Sequence, residues 1–420
     1  MSRILLGVSG GIAAYKAAEL LRRLKESGDQ AEGHDVTVVP TEAALRFVGA
    51  PTWEALSGHP VSTDVFTEVD SVRHVSLGRR ADLVIVAPAT ADLLARAAAG
   101  RADDLLTGCL LTATCPVIFA PAMHTEMWRH PATQHNVSTL RHRGAVVVDP
   151  ASGRLTGADS GPGRLPEPEE LATIARTVLA GPAIAAAAAR RDLAGLRIVI
   201  SAGGTHEPLD PVRFIGNASS GRMGWALARA AVLRGADVAL VAANVTLPDP
   251  AGTEVRTATT TRELEEQVGK AADGADIVVM AAAPADFRPA SEQPSKIKKS
   301  SSADADQGLE LSLVQNPDIL AGLVRARTDQ RQVLVGFAAE TADTPEQLIS
   351  LGRDKLARKG CDLLVLNAVG HGRVFGRADS EIRIIGGSAD ESETPPALAG
   401  SKELLAHHIL DAALQVRSER

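Results

Sequence analysis

The sequence predicts an α/β protein built of two Rossmann-like three-layer domains with mainly parallel sheets. Three observations carry that prediction. Short runs of Val, Ile and Leu alternate with longer segments of helical spacing, as right-handed crossovers between parallel strands require. The order of strand, glycine turn and helix begins twice, at RILLGVSGGIAAYKAAELLRRL (3–24) and again at ISAGGTHEPLDPVRFIGNASSGRMG from Ile200. Aromatic residues make up only 3% of the 420 residues, so the cores must be built from Ala, Val, Leu and Ile. That composition suits buried parallel strands under Ala-rich helices, and the length favours two cores over one.

In the first domain (1–180), strands are expected at 4–8, 36–39, 83–87, 117–120 and 145–148. Helices are expected at 12–25, 92–99 and 131–143; the first places Ala13, Ala17, Leu20, Leu21 and Leu24 on one face. Residues 149–164, rich in Gly and Pro, read as a loop that forms a flap over a site. GPAIAAAAARRDLAG (181–195) reads as a linker, a short connecting helix without a proper hydrophobic face. The second domain (196–420) has expected strands at 197–201, 238–242, 277–281, 309–313, 333–337, 363–366 and 381–385. Its helices are expected at 222–234, 261–272, 318–327, 344–359 and 402–417. The polar, lysine-bearing stretch 291–307 reads as a flexible loop.

A formal charge of −7 argues against nucleic-acid or membrane affinity. Three cysteines without zinc or redox spacing point to a reducing compartment. With no signal peptide or bilayer-length apolar run, the expected location is the cytoplasm.

GVSGGIAAYKA sets Gly7, Ser9, Gly10 and Gly11 between strand and helix, where phosphate can approach backbone N–H groups; a tight turn with no ligand has the same composition. The spacing is not G-x-G-x-x-G. The second strand ends at Thr41, and Asn244 holds the equivalent place in the second domain, where a dinucleotide site wants an acid for the ribose. A mononucleotide with a terminal phosphate fits the first domain better.

APATADLLARAAAGRADDLL (87–106) and PAMHTEMW (121–128) resemble signature stretches of the flavin-dependent cysteine decarboxylases. SAGGTHEPLDPVRFIGNASSGRMG, AAAPADFRP, KIKK, QNPDIL and GFAAET follow in order. Together these resemble the bacterial bifunctional coenzyme A biosynthesis family, a phosphopantothenoylcysteine decarboxylase joined to a phosphopantothenate–cysteine ligase. The resemblance covers nearly the whole chain. It implies a flavodoxin-like flavoprotein domain followed by a nucleotide-binding ligase domain. It further implies a homo-oligomer, a dodecamer built from trimers of the first domain and dimers of the second.

For the first domain, the resemblance implies FMN held by Ser9, Gly10, Gly11, Thr41, Pro88, Ala89, Thr90 and Asp103. A saturated amino-acid carboxylate has no electron sink, and oxidation of the cysteine CH2–SH to a thioaldehyde supplies one. CO2 then leaves an enethiolate, which is reduced to 4′-phosphopantetheine. On spacing alone His74 reads as a surface histidine before a helix; the resemblance makes it the base, with imidazole suited to neutral pH. Met123 and His124 contact substrate, His124 standing where the family usually has the Asn that holds the carboxylate. Thr156 occupies the flap position where the family commonly has a proton-donating cysteine. An aliphatic hydroxyl is a far poorer acid than a thiol, so another donor or a water must act, or the reaction stops at the enethiol.

For the second domain, the resemblance implies that CTP, with Mg2+, activates the carboxylate of 4′-phosphopantothenate as an acyl-cytidylate, which L-cysteine then attacks. Asn217 and nearby Arg213 serve the acyl-cytidylate. Lys296, with Lys298 as a competing choice, serves the second half-reaction. Asp286 contacts the cytidine side. Asn316, Pro317, Asp318 and Ile319 frame the cytosine pocket with Phe337. Lys355 and Lys359, four residues apart on one helix face, bind phosphate; by spacing alone they read as a solvated basic stripe. Metal ligands are not identified. A flavin-binding scaffold that has lost decarboxylation is the alternative motivated by Thr156 and His124. A nicotinamide oxidoreductase is a further alternative, disfavoured by the missing ribose-binding acids.

Overall fold

A computed structural model describes residues 1–26, 33–63, 72–154, 160–297, 309–342, 344–368, 379–387 and 394–420. The chain divides into two compact units, Met1–Asp192 and Leu193–Arg420.

The first unit runs β1 (Arg3–Val8), α1 (Ala14–Lys25), β2 (Asp35–Pro40), α2 (Ala50–Ser57), α3 (Arg73–Arg80), β3 (Leu83–Ala89), α4 (Ala91–Ala98), α5 (Leu105–Thr112), β4 (Val117–Pro121), α6 (Thr125–Arg129), α7 (Pro131–His142), β5 (Val146–Val147), β6 (Ala151–Arg154), β7 (Ser160–Arg164), α8 (Pro168–Ala180) and α9 (Pro182–Arg190). Its five-stranded sheet has the order β2-β1-β3-β4-β5, all parallel. Alternate strand residues Leu5, Val84, Val86 and Phe119 share a core with Leu93, Leu94, Leu106 and Cys109 of α4 and α5. The strand period of two aims their neighbours at the opposite face.

Within the expected loop at 149–164, the described residues Ala151–Arg154 and Ser160–Arg164 instead pair as antiparallel strands, β6 against β7. The Gly and Pro of β7 read as turn residues in the sequence, but contacts to Met123 and Thr125 hold them in a strand. The expected faceless linker helix is also corrected. α9 buries Ile184, Ala185, Ala187, Ala188 and Ala189, because alanine is small enough to be covered on several sides. It belongs to the first compact unit.

The second unit runs β8 (Arg197–Gly203), β9 (His206–Pro208), β10 (Phe214–Gly216), α10 (Arg222–Leu233), β11 (Asp237–Ala243), β12 (Thr253–Ala258), α11 (Thr261–Ala272), β13 (Ile277–Met280), β14 (Phe287–Pro289), β15 (Leu313–Gln315), α12 (Ile319–Ala326), β16 (Val333–Glu340), α13 (Pro345–Lys359), β17 (Leu363–Ala368), β18 (Asp379–Gly386), β19 (Leu398–Ser401) and α14 (Lys402–Ser418). The main sheet has the order β12-β11-β8-β13-β16-β17-β18-β19, with its first six strands mutually parallel and its last two pairings, β17–β18 and β18–β19, antiparallel. Three layers follow from strict alternation. Ile198, Ile200, Leu240, Val279 and Val335 face α10 and α14. Val199, Val241, Val278 and Leu334 face α11, α12 and α13.

The strand expected at 309–313 lies at Leu313–Gln315, where antiparallel pairing of Phe287 with Gln315 sets the register. No single described helix is long and apolar enough to cross a membrane; α8 and α9 pass such a test only as a pair bent by 118°.

Candidate functional site

In open α/β sheets ligands occupy the crevice where the winding order reverses. The first unit reverses between β1 and β3, in the flavodoxin-like order 2-1-3-4-5. Ser9, which follows β1, is 1% exposed. Its Oγ donates to the Pro88 carbonyl at 2.7 Å and accepts from the Thr90 N–H at 2.9 Å, stitching the two strand ends together. Thr90 in turn caps α4 through Leu93 N–H. Pro88 and Ala89 are buried, and Thr41 Oγ1 accepts from Ala44 N–H in the turn after β2. A Cβ on Gly10 would lie 2.4 Å from the Ala43 Cβ, so that glycine answers to a neighbouring turn. Gly11 meets only the Thr90 Cγ2, at 3.4 Å. α1 begins with no side-chain cap and no acidic residue in its first turn, leaving its positive end uncompensated. An open glycine beside an uncapped helix N-terminus fits a bound phosphate group.

Asp103 lies instead in a surface ion-pair cluster, bonded by Arg96 at 3.1 Å and Arg101 at 2.7 Å. The Arg96 hydrogen bond holds its carboxyl below the usual range. His74 sits on α3, inside a helix rather than before one, with its ring against Gly108 of α5; a Cβ there would lie 3.2 Å from the His74 Cβ. Its Nδ1 is buried and has no hydrogen-bond partner among the described residues. Such an orphan is what an imidazole kept for a ligand or water would show. His124 is exposed at the start of α6, its ring making no capping bond. β7 lies along this segment: Met123 N–H donates to the Gly163 carbonyl and Thr125 Oγ1 to the Pro162 carbonyl, both at 2.9 Å. Only glycine fits at 163, where a Cβ would fall 2.2 Å from the Met123 carbonyl oxygen. Thr156 lies outside the described residues. Burial pushes the Cys109 thiol up to about 12, unsuited to proton donation near neutral pH. A cleft of about 250 Å³, lined by Arg101, Leu110, Cys115, Phe119 and Arg143 among others, contains none of the sequence-predicted site residues.

The second unit reverses between β8 and β13, in the order 3-2-1-4-5-6 over its parallel strands. Gly203 has φ +88°, and a Cβ there would sit 2.0 Å from the Ala243 carbonyl oxygen. Across the gap Gly204 pairs with Ala283, and Asn217 Nδ2 donates to the Pro284 carbonyl at 2.9 Å. Asn244 spends its amide on the Gly204 and Thr259 carbonyls, tying loops together.

Below this rim is a buried polar network that sequence reasoning missed. Glu207, 1% exposed, accepts from the Thr261 N–H at 2.9 Å and the Thr261 hydroxyl at 2.7 Å. Thr205 accepts from Ala285 N–H and lies 3.0 Å from Thr261 Oγ1. Asn316 Nδ2 donates to Ala285 O and Thr261 Oγ1, while Asn316 Oδ1 accepts from Arg288. The Asn316 side chain is thereby consumed internally. Asp286, exposed beside it, accepts the Asn316 N–H on its carbonyl. A Thr-x-x-Glu capping box at Thr260 and Glu263 marks the helix start in the sequence, but nothing local links Thr261 to Glu207, 54 residues away.

Pro317 follows Asn316, Asp318 caps α12 and Ile319 is buried behind it. Phe337, on β16, packs with the cluster under α10 and α14. The two α13 lysines are paired: Lys355 with Glu340 at 2.7 Å and Lys359 with Asp318. Lys296 is exposed, next to Ile297, which Arg213 and Asp210 hold from both sides. Lys298 lies outside the described residues.

Residues 1–179 match the family described as Flavoprotein, and residues 193–416 match the DNA/pantothenate metabolism flavoprotein C-terminal domain. Over 416 residues, 98% of this chain and 96% of the relative, the sequence is 57% identical to the Coenzyme A biosynthesis bifunctional protein CoaBC of Mycolicibacterium smegmatis. The chain belongs to the bifunctional coenzyme A biosynthesis protein family. A member of that family from Escherichia coli K12 is 45% identical over 371 residues, 87% of this chain and 86% of the relative. Among solved structures, the C-terminal domain of a CoaBC family member is 28% identical with a TM-score of 0.42, covering 55% of this chain and 97% of that one. The FMN-dependent cysteine decarboxylase SpaF is 34% identical with a TM-score of 0.37, covering 43% of this chain and 98% of that one.

Proposed function

We propose that the second unit condenses 4′-phosphopantothenate with L-cysteine at the expense of CTP, and that the first decarboxylates the product to 4′-phosphopantetheine. The observation that carries this reading is the pair of switch points on one chain. One has an uncapped helix end beside neutral hydroxyls, and the other has amide and charged side chains around a glycine rim. Gly11, Thr90 and the start of α1 would hold FMN, with Ser9 fixing the crevice floor. When bound, FMN supplies the two-electron oxidation that makes a thioaldehyde of the cysteine side chain. His74, half-buried on α3, accepts the proton released there. His124, exposed on the rim, takes the substrate carboxylate until CO2 departs.

In the second unit Asn217 and Arg213 orient the phosphopantothenate carboxylate toward the α-phosphate of CTP, and Lys296 serves the attack by cysteine. Lys355 and Lys359 exchange their carboxylate partners for phosphate. Mg2+ accompanies the phosphates of the nucleotide. The reaction runs in the cytoplasm, in an assembly of trimers and dimers.

The test is product analysis with CTP, Mg2+, cysteine and 4′-phosphopantothenate. Phosphopantetheine, CMP, pyrophosphate and CO2 are expected. An accumulated enethiol would show that Thr156 does not replace the usual donor. A protein that releases no pyrophosphate would be a flavin-binding scaffold.

A further inference from the structure

Asp210 carries a feature the reaction scheme leaves unused. Its side chain is fully buried, yet it sits in the irregular link between β9 and β10. Oδ1 accepts from the Val212 and Arg213 N–H groups, both at 2.8 Å, which is an Asx-type turn that shapes the link locally. Oδ2 does something different. It accepts from the Ile297 N–H at 3.1 Å, 87 residues further along the chain. The Arg213 guanidinium closes the other side, donating from Nη2 to the Ile297 carbonyl at 3.1 Å while Nη1 stands 3.5 Å from the Asp210 carboxylate. The backbone of Ile297 is thus gripped at both its N–H and its C=O. Burial pushes the Asp210 carboxyl up, but the N–H bonds from Val212, Ile297 and Arg213, with the Arg213 charge, outweigh it and keep the group ionised.

The residue directly before this grip is Lys296, otherwise exposed. A lysine on an exposed segment samples many positions, and fixing a reacting group in place is worth orders of magnitude in rate. We propose that Asp210 is a positioning residue for amide formation: its Oδ2, with Arg213, anchors Ile297 and so sets where Lys296 stands when cysteine attacks. The inference rests on the ligase reading above. In that step the cysteine nitrogen bonds to the acyl carbon, the acyl carbon–oxygen bond to the cytidylate breaks, CMP leaves with the bonding electron pair, and the amine passes its proton to the departing phosphate or to water. The earlier step, attack of the carboxylate on CTP with loss of pyrophosphate, needs Asn217, the rim and Arg213, which stays bonded to the Ile297 carbonyl when the Asp210–Ile297 bond is cut, but does not need that bond itself.

The two carboxylate oxygens allow a selective cut. In Asp210→Asn the amide oxygen still accepts from Val212 and Arg213, so the turn survives. Its NH2 faces the Ile297 N–H, donor against donor, so the hold on that N–H is lost while Arg213 keeps the Ile297 carbonyl. Two rates are measured on the full chain: pyrophosphate released from CTP and 4′-phosphopantothenate without cysteine, and CMP released when cysteine is added. For Asp210→Asn the cysteine-dependent rate falls about ten-fold or more while the pyrophosphate burst stays within about three-fold of the parent. Equal loss of both rates, as misfolding would give, overturns the proposal, and so does retention of both. Lys296→Gln separates this inference from the reading it rests on. If that variant forms amide normally, the role assigned to Lys296 fails, whatever Asp210→Asn shows. If it loses amide formation while Asp210→Asn does not, the ligase reading stands and the anchor falls.

Discussion

The two switch points solve the same geometric problem with different chemistry. Between β1 and β3 the strand ends are joined by one neutral hydroxyl, Ser9, lodged between a carbonyl and an N–H. Between β8 and β13 the support is a buried carboxylate, two threonines, an asparagine and an arginine bonded in series. A neutral stitch places no charge in the crevice, which suits a flavin whose phosphate is met by a helix end. A charged network bonded in series is stiffer and more vulnerable, because removing any member takes a buried hydrogen bond from its neighbours. The second crevice thus depends for its geometry on one helix start, at Thr261.

The largest effect should separate the two crevices completely. His74→Asn should cut CO2 release by about 10²-fold or more and leave pyrophosphate release unchanged; parallel loss would mean the halves are not independent. Next comes Thr261→Val, which keeps the shape but removes the hydroxyl that Glu207, Thr205 and Asn316 share. It should cost about 2–4 kcal/mol, read as a lower midpoint of the second unit's unfolding transition in calorimetry. Ser9→Ala, by contrast, should cost about 1–2 kcal/mol, confined to the first unit. If it costs as much as Thr261→Val, the contrast between neutral stitch and charged network is wrong.

Much of this fold was legible in the sequence, for identifiable reasons. β8, β11 and β13 are apolar runs that each begin within three residues of a glycine, and α10 and α11 carry clear helical spacing. α5 escaped because LLTGCLLT is apolar on every side and shows no period. α3 escaped for the opposite reason, since RHVSLGRR is mostly polar and its packing depends on Gly108 in another helix. The crevice residues Gly11, Thr90, Asn217 and Asp286 could be named from motifs. Glu207, Thr261 and Asp210 could not, because their partners lie 54 to 87 residues away and no local pattern encodes a buried hydrogen bond.

The smallest expected effect concerns the rim. For Asp318, burial raises the carboxyl pKa, but the bond from Lys359, the cap on Ala321 N–H and nearby positive charge outweigh it, so the folded value lies below the ordinary one. Stability from this pair is therefore present above the unfolded pKa of roughly 4 and lost as pH falls through the lower folded value. Asn caps helices as well as Asp, so Asp318→Asn isolates the charge. At pH 7 it should lower stability by under about 1 kcal/mol, the pair being partly exposed. Melting curves of variant and parent should draw together as pH falls below about 4 and coincide only beneath the lowered folded value.

Those lysine pairs have one more consequence. Glu340 and Asp318 act as tethered counter-ions, always at high local concentration beside α13. A chloride ion arriving there swaps one single negative charge for another and gains nothing. Under the proposed function, a chain of phosphates would have to displace both carboxylates, since residues four apart share a helix face. Such an exchange favours a ligand that carries several negative charges over one that carries a single charge.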